Sequence, residues 1–128
     1  MAVKSIFETI CDTLNSDEKL KEEKVIIYPP ATKKGECKEP YVVLKQDGSS
    51  KIGSFSSERV YYRFMIYVPR SMYSKLEYYE SIVRNVIDTK LYPMLMPTGQ
   101  KEADYYDDNL NAHLRTFLYS NNVRNKHL

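Results

Sequence analysis

Polar and apolar positions alternate without a break in "RVYYRFMIYVP", residues 59–69. Val60, Tyr62, Phe64, Ile66 and Val68 fall on one side, and Arg59, Tyr61, Arg63, Met65 and Tyr67 on the other. A period of two over this length predicts a β-strand with one buried face. Val3, Ile6, Phe7, Ile10 and Leu14 instead recur at three- and four-residue steps, which predicts a helix with one buried stripe. A second helix is expected from Ser71, placed to cap it, to about Leu91, because Met72, Leu76, Tyr79, Val83, Val86 and Ile87 repeat with the same period.

Shorter apolar runs fill in the order. "VIIY" (25–28) is β-branched and reads as a first short strand, after the charged turn or helix end "KLKEEK". The proline-rich "PPATKKGECKEP" has no apolar period and reads as a loop, and Pro40 sets extended backbone before the strand "YVVLKQ". From Asp47 to Glu58, "DGSSKIGSFSSE" is polar and joins two strands, so a long hairpin arm is expected. "YPMLMPTGQKEA" breaks the second helix. A last strand then places Ala112, Leu114, Thr116 and Leu118 toward the core, with His113, Arg115, Phe117 and Tyr119 opposite, and ends at "SNN".

The expected fold is therefore α+β, in the order αβββαβ: one two-layer domain over residues 1–128. A mainly antiparallel sheet of about four strands would carry two helices on one face, and residues 121–128 would form a flexible tail. The sheet's other face should show Arg59, Tyr61, Arg63, Tyr67, Arg115 and Tyr119. Tyrosine and arginine are favoured at subunit contacts, so this face is a candidate interface. The arm, with Asp47, Lys51 and Phe55, is a second candidate, since a long polar loop held by two strands contributes little to a core.

Composition narrows the function. A chain of 128 residues with 42% hydrophobic content suits one domain. Nineteen basic against 17 acidic residues give a formal charge of +2, which is too small to mark a dedicated nucleic-acid binder. The 2 cysteines, Cys11 and Cys37, have no metal spacing and are expected to be free thiols in a reducing cytoplasm. No apolar run is long enough to cross a bilayer, and acidic residues come too early in "MAVKSIFETICDTLNSDEK" for a secretory signal. Twelve tyrosines beside no tryptophan add to the suggestion of assembly.

The acidic stretch "ADYYDDNLNAH" (103–113) invites a metal or acid–base reading. Adjacent Asp107 and Asp108 point apart, no glycine-centred calcium loop frames them, and His113 has no partner at ligand spacing. The segment is expected to be an acidic turn into the last strand, with Asp107 and Asp108 as candidate contact residues. The chain has no phosphate loop, dinucleotide fingerprint or nucleophile elbow. The expectation is of a non-enzyme with no resident metal or cofactor. A single-stranded nucleic-acid platform built on "RVYYRF" is an alternative, although the glycine-rich aromatic signature of the common RNA-binding sheet is missing.

The stretch "RFMIYVPRSMYSKLEYYESIVRNVIDTKLYPMLM", followed by "DYYDDNLNAHLRTFLYS", resembles the tail terminator proteins of lambda-type long-tailed phages. The shared features are a strand closed by an aliphatic residue and proline, an amphipathic helix leading to a segment like "LYPM", and an acidic turn before the final strand. The similarity spans about Arg59 to Tyr119; the loop from Pro29 to Pro40 and the tyrosine-rich surface depart from it. The resemblance implies a homo-hexameric ring on the head-proximal end of the tail tube, in the virion, assembled in the host cytoplasm. Its partners would be the tube protein and the head-connector or neck proteins. DNA would pass through the lumen without sequence recognition, and no membrane would be involved. Neck and head-completion proteins of similar size are the nearest alternative.

Overall fold

The alternating segment lies at the middle of the sheet, where both its edges are paired. A computed structural model describes residues 5–33, 35–51 and 57–124. In it β3 (Ser57–Pro69) runs antiparallel to β2 (Tyr41–Lys51) on one side and to β6 (Ala112–Arg124) on the other. The two-residue β1 (Ile27–Tyr28) adds to β2 in parallel. Along the far edge of β6 lie β4 (Met96–Lys101) and β5 (Tyr105–Asp107), both antiparallel to it. The fold is α+β, as expected, but the sheet is mixed and has six strands in the order β1-β2-β3-β6-β4, with β5 also on β6. β4 and β5 escape the sequence pattern because an edge strand tolerates proline and bulges. Pro97 lies in β4, Gly99 has φ +80°, and the register slips between Pro97 and Lys101.

Three α-helices, rather than two, occur among the described residues. In α1 (Ile6–Ser16), Ser5 caps the N-terminus by accepting a bond from the Glu8 amide at 3.1 Å. Asp17 ends that helix and caps α2 (Glu18–Glu22), accepting from the Leu20 amide at 3.0 Å. The expected second long helix is split in three. A 3₁₀ segment covers Arg70–Lys75, α3 covers Leu76–Val86, and a π turn covers Ile87–Leu91. Ser71 does not cap α3: the N-cap position is Lys75, with no side-chain bond, and Met72 leaves helical geometry at φ −111° and ψ 21°.

The helices cover one face of the sheet. Ile10, Leu14, Leu20, Leu76, Val83 and Ile87 pack with Val42, Leu44, Phe64, Ile66, Phe117 and Tyr119 in a single core. Burying each large apolar side chain contributes about 1.5–3 kcal/mol. The expected facing of the last strand is reversed. Register pairs Phe64 with Phe117 and Tyr62 with Tyr119, so Phe117 and Tyr119 enter the core, with 0% exposure, and Ala112, Leu114, Thr116 and Leu118 face the other way. A one-residue shift in parity exchanges every side chain between faces. Both sets in β6 are apolar enough to be buried, and the larger aromatic set wins the helix side, where the Phe64 and Phe117 rings stack at 5.5 Å.

The polar segment read as an arm is largely strand. Ser49, Ser50 and Lys51 pair with Val60, Arg59 and Glu58 beyond a bulge at Gly48, whose φ is +85°. β6 continues alongside to Arg124, opposite Ser57. Residues 121–124, expected to begin a flexible tail, therefore form the third strand of this extension; residues 125–128 lie outside the described residues.

Candidate interface on the open sheet face

Pairing across β2, β3 and β6 brings one set of side chains to the face without helices. Tyr41, Val43 and Lys45 stand opposite Tyr67, Met65 and Arg63, which stand in turn opposite Leu114, Thr116 and Leu118. Val43, Met65 and Leu114 are half-buried and form an apolar centre. Around it lies a polar and aromatic border. Arg63 donates to Asp47 at 3.0 Å and to Glu102 at 2.6 Å, so one guanidinium spans from β2 across β6 to the edge segment. Burial alone would lower the affinity of Arg63 for its proton, but these two carboxylates outweigh it and raise the pKa.

At the arm end of the face, the Arg59 Nε donates to Asn122 at 3.4 Å. Tyr61 shares a shallow cleft with Arg59, Met96, Pro97 and Gln100. At the other end Tyr67 stacks on Tyr41, with ring centroids 5.0 Å apart, and Tyr28 meets Tyr41 edge-on at 5.9 Å. The proline-rich loop folds against this end. Cys37 is buried there with Tyr41 and Ala112, and its amide donates to the Leu110 carbonyl at 2.7 Å. Burial pushes the Cys37 thiol up to about 11 and the half-buried Cys11 thiol likewise to about 11. Both cysteines are free.

The structure gathers Asp47, Arg59, Tyr61, Arg63 and Tyr67 on one face and separates the remaining candidates from it. Lys51 continues the β2 ladder opposite Glu58, and Phe55 lies outside the described residues. Asp107 is a turn residue whose carboxylate accepts the Asn109 and Leu110 amides at 2.9 and 3.1 Å, and Asp108 lies beside it in a surface cleft at the end of the sheet. Arg115 and Tyr119, expected on the open face, belong to the helix side, because the β6 parity is reversed. His113 follows the same parity, packed between the Tyr73 and Tyr106 rings at 4.7 and 4.9 Å.

Arg115 is instead part of an ionic network. It meets Asp104 in a two-point contact, Nε to Oδ1 and Nη2 to Oδ2 at 2.9 Å each, and donates to Glu77 at 2.9 Å and Glu80 at 3.2 Å. Glu80 also accepts from Arg84 at 2.7 Å and from Lys101 at 2.9 Å. Hydrogen bonding to Arg115 holds the Asp104 carboxyl below its ordinary value. For Glu80 burial acts upward, but the bonds from Lys101 and Arg84 outweigh it and the carboxyl is held low. Arg84 lies 4.1 Å above the Phe117 ring, and Tyr119 donates to Asp88 at 2.9 Å. These contacts fasten the poorly paired β4–β5 edge to α3.

Sequence reasoning placed Met65 on the outer side of β3 but missed Val43 and Leu114, which complete the centre of the face with it, and Glu102 as the partner of Arg63. For Val43 a signal was present in β2, since Val42 and Leu44 on either side of it share one apolar face and leave Val43 on the other. Among the described residues no group of three His, Cys, Asp or Glu side chains is placed to hold a metal ion, and no helix is long and apolar enough to cross a membrane. No protein-family model matches the chain, and no curated protein matches it in sequence.

Proposed function

We propose that this chain is a structural virion protein, copies of which form a ring that caps the head-proximal end of a phage tail tube. The ring stops tube growth and joins the tail to the head connector. The observation that carries this reading is the open sheet face. It has an apolar centre of Val43, Met65 and Leu114 within a border of Tyr61, Tyr67, Arg59 and the Asp47–Arg63–Glu102 bridge. An apolar middle with a polar, aromatic and arginine-bearing rim is the usual anatomy of a protein–protein contact. The likeness of "RFMIYVPRS" through "HLRTFLYS" to tail terminators supports reading it as a contact within a tail-capping ring. Capping by such a ring needs no bond chemistry. One ring face matches the last tube ring, the opposite face does not match a tube subunit, and open-ended stacking closes.

The partners are other copies of the chain, the tube protein and the neck or connector, with DNA passing through the lumen unread. Met65→Glu puts a charge at the centre of the face without entering the helix-side core. Arg63→Glu sets a third carboxylate against Asp47 and Glu102. Each variant should fold, by circular dichroism, and lose sedimentation with purified tail tubes. If both variants bind tubes as the wild type does, the open face is not the contact.

A further inference from the structure

At the end of the sheet opposite the arm, two surface clefts of about 470 and 390 Å³ adjoin and share Arg70 and Asn111. The first is completed by Glu36, Cys37, Pro69 and Ser71, the second by Tyr106, Asp108 and His113. The Arg70 amide donates to the Asn111 carbonyl at 3.0 Å, which fixes its backbone between the clefts. The second cleft has a rigid wall, because His113 is held between the Tyr73 and Tyr106 rings and Tyr106 donates to the Asn111 side chain at 3.2 Å. Among the described residues Arg59, Arg63, Arg84 and Arg115 have side-chain partners, whereas the Arg70 guanidinium has none.

We propose that these joined clefts bind a carboxylate-bearing peptide segment of a protein partner, with Arg70 as the anchor. The charge pattern selects the ligand. A guanidinium offers a planar pair of donors that fits a carboxylate at two points. Glu36 lines the first cleft, where it accepts from the Asn111 side-chain amide at 3.5 Å, and Asp108 lines the second. A phosphate dianion would be repelled by both carboxylates, whereas a single carboxylate flanked by cationic or amide donors pairs with Arg70 and brings donors to Asp108 and to the second oxygen of Glu36. The Ser71 hydroxyl and the His113 ring supply further hydrogen-bonding groups. The surface is distinct from the open sheet face, so it adds a second contact to the one proposed above and does not rest on it.

The test is nuclear magnetic resonance titration of the full chain with acetyl-Lys-Glu-Lys-amide, acetyl-Lys-Gln-Lys-amide and inorganic phosphate, following the Arg70 side chain, the Ser71 amide and the His113 ring. Saturable shifts at these three residues with the glutamate peptide, at least tenfold weaker with the glutamine peptide and with Arg70→Gln, are expected. Arg70→Lys should recover part of the affinity, as a point charge without the planar fork. Arg70 is exposed, and unchanged thermal unfolding of its variants removes misfolding as an explanation. Equal response to both peptides, phosphate binding as strong as the glutamate peptide, or no saturation up to the solubility limit would each overturn the proposal.

Discussion

Glu80 lies where the edge of the sheet is tied to the helix layer, and replacing it with glutamine tests how that tie works. Its side chain is 10% exposed and faces Arg84, Lys101 and Arg115 at 2.7, 2.9 and 3.2 Å. Glutamine preserves volume and one acceptor, so no cavity enters the balance; the change removes the charge. Removing one partner of a fully buried ion pair costs about 3–5 kcal/mol. Here the cost is smaller, because Arg84 and Lys101 are 29% and 41% exposed and regain water, while Arg115 keeps Asp104 and Glu77. That leaves about 2 kcal/mol. The urea midpoint should fall by about 1 M and the melting temperature by roughly 8 °C at pH 7.

The pH dependence supplies a second check. The Glu80 carboxyl is held below its ordinary 4.5 in the folded chain. Its contribution is complete above that unfolded value and is lost as pH falls through the lower folded value. The gap between wild type and Glu80→Gln should therefore be constant near neutrality and close below about pH 4.5. Melting temperatures that agree within about 1 °C at pH 7, or a gap that widens toward acid, would refute the reasoning.

Three further outcomes are expected. Asp17→Ala removes both the cap on the Leu20 amide and the 2.7 Å bond from Lys90, and should cost about 2 kcal/mol in urea denaturation; a loss below about 0.5 kcal/mol would contradict the capping role. Tyr119→Phe deletes the donor to Asp88 from a residue with 0% exposure and should cost about 1 kcal/mol with the core otherwise intact, so a loss of near-ultraviolet dichroism would be contrary. Burial raises both thiols from 9.0 to about 11, so a thiol reagent at pH 8 should label the native chain about a hundredfold more slowly than the urea-unfolded chain; equal rates would exclude buried thiols.

What the sequence revealed depended on how sharply each segment separated its two faces. In β3 one parity is uniformly apolar and the other carries arginines, so its facing was legible. In β6 both parities hold large apolar residues, and the choice rests on which set fits against Phe64 and Tyr62 across the pair, a contact that local pattern does not contain. The edge strands β4 and β5 were hidden by Pro97 and the Gly99 bulge. The candidate interface was half legible for the same reasons. Arg59, Tyr61, Arg63 and Tyr67 came together as expected, whereas Arg115 followed the reversed parity of β6. Its partners Glu77, Glu80 and Asp104 look like ordinary solvated charges in sequence, because what joins them is the crossing of α3 over the sheet edge.

Negative-stain electron microscopy of particles assembled with and without the chain, scoring tail length and head attachment, tests most directly the proposal that it ends tail growth. Overlong tubes without heads in its absence are the predicted result. Tails of normal length that lack heads would move the protein to a neck joint and contradict the capping role, and unaltered particles would remove it from tail assembly altogether.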